Sequence, residues 1–373
     1  MRKTLKNSNG ITLIALVITI VILLILAGIS ISALTQTGLF GRAKQTEQVS
    51  KEKQEEENAT LGTYEDEIDK YLGDKSSSGE KLVDKVNDGT IKIGDYVKYI
   101  PDAVNSTAYN KLISDFGTYS GSTANTTSTL TQETTLNWRV LDVTDDGQVR
   151  LISDVPTTSK ITLFGYNGYN NAVKLLDDTC STLYSNSKFA SKVQNLKIED
   201  ITVYMKTQPT EDTTEYKPTN INYPKILEQE ENQTVENSVT NNKLGVSEQH
   251  DFVTTGKATS ATSTLKNTYW SKSMTSEDFK DSKYYELLIN NGSNYAIYWM
   301  SSRCVYACSN PATFDVHRVS FGSVGSRLLC NSGVGEYPDA YAFRPVITLN
   351  SNVQIDTANS GNGSKANDGY AIK

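Results

Sequence analysis

The C-terminal third of the chain holds the residues best suited to chemistry. Cys304 and Cys308 follow Arg303, and His317 lies shortly after them. A cysteine becomes a nucleophile when nearby cations or a helix start lower the pKa of its thiol, and Arg303 is the one such cation in sequence. No Ser-His-Asp arrangement is recognisable. We therefore expect no enzyme, and interpret the cysteines as disulfide or display residues.

The sequence also gives little support for a metal or cofactor site. The chain has two histidines, His250 and His317, and Cys304 and Cys308 are not spaced as C-x-x-C, so we expect no zinc site. Asp145-Asp146-Gly147 is typical of a hairpin turn rather than of a calcium loop. We expect no metal and no cofactor. Three full disulfide pairings stay open for Cys180, Cys304, Cys308 and Cys330.

The segment over 304–339 combines a regular apolar framework with chemically mixed residues. We expect its framework residues to be buried; they are Phe314, Val316, Val319, Val324 and Leu328, with Gly322 among them. The residues between them share no chemistry, and they include the aromatic and arginine side chains that usually dominate binding energy. We predict an exposed ligand-binding set that consists of Tyr306, Asp315, His317, Arg318, Phe321, Ser323, Arg327 and Tyr337.

Composition restricts the type of ligand. The chain has 373 residues and a formal net charge of −7, which argues against nucleic acid because phosphate binding needs a basic surface. Its outer part is rich in Thr, Ser and Asn, and the chain contains 21 tyrosines. This composition suits an extracellular protein, and we expect a protein or glycan ligand.

Local patterns predict the elements that must position these residues. Asp145-Asp146-Gly147 lies between two apolar runs and predicts a β-hairpin over 136–156. Apolar residues at helical spacing predict a helix over 169–186, with its apolar stripe in the core. A second helix is predicted over 187–205. The segment 206–265 has few apolar residues and predicts a long loop insertion, disordered in part.

The N-terminal run over 11–34 is apolar and carries no charged residue. A helix of about 20 residues crosses the hydrocarbon core, whereas the apolar region of a signal peptide is shorter and ends at a small-x-small site. Arg2, Lys3 and Lys6 precede the run, and positive flanks stay cytoplasmic. We therefore expect a single-pass cell-membrane protein whose C-terminal domain is extracellular.

The junction between Gly10 and Ile11 resembles the leader of type IV pilins, which a prepilin peptidase cuts after the glycine. The resemblance covers residues 1–60. It implies a leader over 1–10, processing at Gly10 and Ile11 with methylation of Ile11, and possible pilin subunits as partners. The family carries glutamate as its fifth mature residue, where this chain has Ala15. That departure suggests a tip or minor subunit, or a protein that keeps the helix as an anchor.

Two framing motifs resemble a C-type-lectin-like fold related to the formylglycine-generating enzyme. They are Trp138-Arg139-Val140 near the start, and Tyr298-Trp299-Met300 with Phe343-Arg344-Pro345-Val346 near the end. Such relatives include variable proteins of diversity-generating retroelements, in which a segment between comparable motifs is rewritten at scattered codons. The resemblance implies a domain over 89–356 and a variable recognition face at about 304–339.

These patterns together predict an α+β chain. We expect a pilin-type helix over 11–72 that includes the membrane segment, a linker over 73–88, the mixed α+β C-type-lectin-like ectodomain, and a flexible tail over 357–373. Two functions stay open. One is a surface-displayed ligand-binding protein with a pilin-like anchor; the other is a minor or tip pilin or pseudopilin subunit with a mainly structural ectodomain.

Overall fold

A computed structural model describes most of the chain after residue 78. The described ranges are 79–125, 129–210, 214–216, 222–227, 244–254, 256–258, 265–290, 297–308 and 311–373. The chain divides into two units, Met1–Ser78 and Gly79–Lys373. The predicted processing site at Gly10 and Ile11, and the predicted helix over 11–72, lie outside the described residues.

The predicted α+β fold class is wrong for the described ranges of the chain. The described ranges are mostly sheet with few helices, and none of the helices in them is long and apolar enough to span a membrane. Sheet prevails because runs rich in β-branched and aromatic residues fit the pleated, half-buried surface of a strand.

The elements follow one another in a mixed order. The helices are α1 (Leu82–Asn87), α2 (Ser106–Tyr119), α3 (Gly165–Tyr184), α4 (Glu199–Thr202) and α5 (Ser282–Leu288), with 3-10 turns at Ser276–Asp278 and Ala366–Asp368. The strands are β1 (Tyr96–Lys98), β2 (Trp138–Val143), β3 (Val149–Ser153), β4 (Ile161–Phe164), β5 (Ala190–Asn195), β6 (Glu215–Tyr216), β7 (Tyr223–Pro224), β8 (Lys257–Ala258), β9 (Leu265–Lys266), β10 (Lys272–Ser273), β11 (Tyr298–Tyr306), β12 (Thr313–Ser320), β13 (Ser323–Asn331), β14 (Pro338–Tyr341), β15 (Pro345–Leu349) and β16 (Tyr370–Ala371).

Six strands form the larger sheet, in the order β16-β1-β2-β3-β15-β5. The predicted hairpin is confirmed as β2 and β3, which pair antiparallel, and Gly147 takes the positive φ of 74° that its turn needs. Strand β15 pairs antiparallel with both β3 and β5. Apolar residues of this sheet face a core on each side, since Leu151 and Ile152 belong to different buried clusters.

The predicted helix over 169–186 is confirmed, although α3 begins earlier, at Gly165. Its apolar stripe, which includes Leu176 and Cys180, is buried in the main core. The predicted second helix over 187–205 is wrong, because most of that segment forms β5 and the four-residue α4. Pairing of β5 with β15 outweighs the local helical pattern.

Two of the predicted domain assignments are corrected. The linker over 73–88 contains α1, whose Leu82 is buried. The tail over 357–373 contains β16, which pairs parallel with β1 and buries Ala371. The described parts of the insertion over 206–265 also pack on the core, through buried residues that include Tyr223, Ile226 and Val253. Scattered apolar residues are enough to join these segments to the core.

Four strands form the smaller sheet, in the order β10-β13-β12-β11. Its helix face, on which Phe314 and Val316 lie, packs against α3, where the ring of Tyr169 meets Phe314 edge to face at 5.7 Å between centroids. Its opposite face carries Val319 and Val324 in the second apolar cluster. Both faces of this sheet are therefore covered over most of its length.

Candidate functional site

The apolar framework of the predicted binding segment has the expected burial at four of its five positions. Those four are Phe314, Val316, Val319 and Val324. Leu328 is half-buried instead, because a bulge between the Phe314 and Asp315 pairings shifts the register of β13. Leu329 takes the buried position in the main core. A bulge of this kind changes which side chains point inward without leaving a strong sequence signal.

Four predicted binding residues come together on the β12–β13 hairpin. Arg318 and Arg327 lie on the helix face because Arg327 pairs with Val316 and Arg318 follows Val316 by two residues. The hairpin surface consists of Arg318, Ser320, Phe321, Ser323, Gly325 and Arg327, all half-exposed or exposed. It extends this face beyond the core residues and ends at the turn.

The turn of the hairpin contains a residue type that rarely adopts its backbone conformation. Phe321 and Gly322 connect the two strands, and both have positive φ, 47° and 76°. Turns with positive φ at both central positions favour Asn, Asp or Gly, and a left-handed conformation costs other residues about 1–2 kcal/mol. Phe321 is also 71% exposed. Neither backbone preference nor burial accounts for phenylalanine at this position.

Strand β14 holds the two arginines of the hairpin surface. Asp339 forms an ion pair with Arg327, and the hydroxyl of Tyr341 accepts a hydrogen bond from Nη1 of Arg318 at 2.7 Å. The guanidinium of Arg318 lies over the Tyr341 ring, 5.0 Å from its centroid. Burial, and then the hydrogen bond with Asp339, raise the pKa of Tyr341. The sequence interpretation missed Asp339 and Tyr341, because Pro338, Asp339 and Ala340 are poor strand formers and leave β14 without a strand signal.

The prediction that Asp315 and His317 are exposed is wrong. Both lie on the opposite face and are buried, because neighbouring residues of a strand alternate between faces. The carboxylate of Asp315 accepts a hydrogen bond from Ser326 at 2.6 Å, and His317 Nε2 lies 2.7 Å from the carbonyl oxygen of Leu244. Burial raises the pKa of Asp315 and lowers that of His317.

Tyr306 and Tyr337 are exposed, as predicted, but lie at the far end of the sheet. Tyr306 pairs with Thr313 at the start of β12, and the backbone of Tyr337 bonds to Leu329 near the end of β13. The length of β12 separates Tyr306 from Phe321, roughly 26 Å at about 3.3 Å per residue, so Tyr306 forms no common site with the turn. Tyr337 is also far from Phe321, but it lies two residues before Asp339, the partner of Arg327.

Three of the four cysteines are buried away from solvent. All four are free thiols, and Cys180, Cys304 and Cys330 are buried. Burial raises the pKa of each of these three, which keeps them protonated and unreactive. Cys308 is half-exposed, and its thiol donates to the carbonyl oxygen of Pro311 at 2.7 Å. Among the described residues, no three His, Cys, Asp or Glu side chains form a group able to hold a metal ion.

The buried charges elsewhere stabilise the fold. Arg150 pairs with both Asp142 and Asp200 beside the larger sheet. Arg344 is fully buried and donates from Nη2 to the carbonyl oxygen of Ser153 at 2.9 Å. Buried charges need such partners, and these contacts place both arginines in structural roles.

Comparison with known proteins finds no family model, no characterised protein and no solved structure that matches the chain. The resemblances to type IV pilins and to C-type-lectin-like domains therefore rest on the motifs of this sequence alone.

Proposed function

We propose that the protein recognises a protein or glycan ligand through the hairpin surface. The observation that carries this proposal is Phe321, a large apolar side chain held at a strained turn position and left in solvent. Conformations of this kind persist where function requires them. The hairpin surface combines this exposed aromatic ring with two arginines, and aromatic residues and arginine are the types that most often dominate binding energy.

The surroundings of the hairpin surface support binding with little loss of conformational freedom. Val316 and Val324 anchor the two strands in the core, and Arg327 is fixed by Asp339. The turn is also tied to its neighbour, since the carbonyl oxygen of Gly322 accepts a hydrogen bond from the amide of Met274 at 3.0 Å. A preorganised surface loses less side-chain and loop entropy on association.

Replacing Phe321 with Asn tests the proposal, because Asn tolerates positive φ and lacks the ring. We expect Phe321→Asn to raise the free energy of unfolding by about 0.5–1 kcal/mol. We expect the same change to weaken binding by about tenfold or more, as removal of an interface hot spot does. Ligands would be identified with the purified chain on a glycan array and a displayed library of protein domains.

Ile100→Asn is the matched control, since Ile100 is 76% exposed and lies outside the hairpin. It should leave binding within about twofold of the unmodified chain. A Phe321→Asn chain that is more stable and still binds fully would overturn the proposal. So would equal losses of binding in the two variants.

A further inference from the structure

Arg318 and Arg327 are held in different ways, although both lie on the hairpin surface. Arg327 faces the carboxylate of Asp339. Arg318 donates from Nη1 to the neutral hydroxyl of Tyr341 and forms no ion pair with any residue in the described ranges. A guanidinium has five N–H donors in a planar fork. Most donors of Arg318 are therefore available on a half-exposed side chain.

Aromatic rings fix the position of this guanidinium. The ring of Tyr341 contacts both Arg318, whose guanidinium is 5.0 Å from the ring centroid, and Trp299, whose ring centroid is 4.6 Å away. Trp299 is fully buried, and its Nε1 donates to the carbonyl oxygen of Ile161 at 2.9 Å. Stacking on a ring that is itself packed on the core orients the planar fork before any ligand arrives.

Neither of the nearest carboxylates forms an ion pair with Arg318 among the described residues. Asp339 is paired with Arg327 and accepts a hydrogen bond from Tyr341. Asp315 is buried on the opposite face, where Ser326 donates to it. A positive charge with free donors therefore lies on the hairpin surface, three residues before Phe321 in the chain.

We propose that Arg318 binds one carboxylate, supplied by an acidic side chain of a partner protein. This inference rests on the proposed function and names the chemistry of the ligand at that site. The planar fork matches a carboxylate bidentately. The net charge of −7 repels polyanions over long range, which favours a single acidic group over a densely sulfated glycan. Phe321 supplies the apolar contact that commonly accompanies such a charge in protein interfaces.

Nuclear magnetic resonance of the full chain labelled with ¹⁵N-arginine tests this inference. The probes are acetyl-Gly-Glu-Gly amide, the matched Gln peptide, and sodium sulfate at equal ionic strength. We expect the Glu peptide to shift the Nε–Hε resonance of Arg318 saturably, with a dissociation constant of the order of millimolar. The Gln peptide should bind at least about tenfold more weakly than the Glu peptide. Arg139, which is paired with Glu286, is the internal control and should not shift.

Substitutions test whether the planar guanidinium of Arg318 is responsible for binding the Glu peptide. Arg318→Lys keeps the charge but loses the bidentate geometry, and we expect it to bind the Glu peptide about threefold more weakly. Arg318→Gln loses both the charge and the geometry, and we expect at least about tenfold weaker binding. Arg139→Lys should change nothing. Unfolding midpoints of all three variants establish that each is folded.

Three results would overturn the inference: no saturable shift at Arg318, equal shifts from the Glu and Gln peptides, or tighter binding of sulfate than of the Glu peptide. The last would identify a sulfated glycan instead. The proposed function is tested separately. If the Glu peptide leaves Arg318 unshifted while Phe321→Asn abolishes ligand binding, the carboxylate assignment fails and the recognition role stands.

Discussion

His317 shows how the environment of one residue makes stability depend on pH. Its ring is fully buried, and both nitrogens lie near carbonyl oxygens, those of Leu244 and Gly325. Burial outweighs the attraction of these carbonyls and lowers the pKa of His317 below its ordinary value of 6.5. Below that pH the unfolded chain therefore binds a proton that the folded chain does not, and the folded state loses stability.

We expect this loss to distinguish the unmodified chain from His317→Gln. Between pH 7.5 and pH 5.5, the free energy of unfolding should fall more in the unmodified chain, by at most about 1.4 kcal/mol per pH unit. Urea unfolding at several pH values measures it. The raised pKa of Asp315 acts in the opposite direction, and it is present in both proteins. Parallel pH profiles would show that His317 does not titrate as stated.

Single residues could be predicted where an apolar side chain in a strand is simply buried. Val316 and Val324 were recognised as buried because apolar residues recur through the segment, although the two lie on opposite faces of the sheet. Asp315 and His317 were misassigned because a polar residue between apolar ones usually faces solvent. Here the opposite face is covered by Leu244 and its neighbours. That cover comes from a segment distant in sequence, which no local pattern reveals.

The hairpin as an element has a buried interior and an outward surface, and substitutions should separate them. Val316→Ala removes apolar contacts from a fully buried position, and we expect it to lower the free energy of unfolding by about 1–3 kcal/mol. Tyr306→Ala, in the adjacent strand, changes a side chain that is 45% exposed and should cost under about 1 kcal/mol. Thermal and urea unfolding of both variants measure the difference.

The reverse order of these two effects would mean that the faces of the sheet are assigned incorrectly. A third variant, Val324→Ala, checks the result on the neighbouring strand, because Val324 is buried on the opposite face. It should be destabilised to a similar degree as Val316→Ala.

Elements with strong local signals were predictable, and those made by long-range pairing were not. The β2–β3 hairpin follows from Asp-Gly between apolar runs, and α3 follows from its apolar stripe. Strand β5 was mistaken for a helix because its partner is β15, far along the chain. The candidate site was predictable in part: the sequence pointed to Arg318, Phe321 and Arg327, whereas the contacts that hold the two arginines come from β14.

At the scale of the whole molecule, the C-terminal segment completes the larger sheet. Strand β16 covers the edge of β1, and Ile372 pairs with Ile355. Deleting residues 357–373 should therefore expose a strand edge and apolar side chains. We expect a loss of roughly 2–4 kcal/mol in the free energy of unfolding, with more aggregation. Differential scanning calorimetry and light scattering measure the two effects.

Lys365→Ala serves as the control for the deletion, because Lys365 is exposed within the same segment. It should leave the unfolding midpoint unchanged within about a degree. If the deletion leaves the unfolding midpoint as unchanged as Lys365→Ala does, residues 357–373 contribute nothing to the stability of the fold.

The position of β15 has a consequence for how the chain is made. During synthesis, β3 and β5 leave the ribosome long before β15, which lies between them in the finished sheet. Until then, β3 has an open edge, and β5 lacks its neighbour in the larger sheet. Nascent chains on one messenger RNA thus present complementary unpaired strands to each other. Completion of this sheet waits until β15 and β16 have emerged, so a chain stalled before that point keeps these edges open and is prone to aggregate.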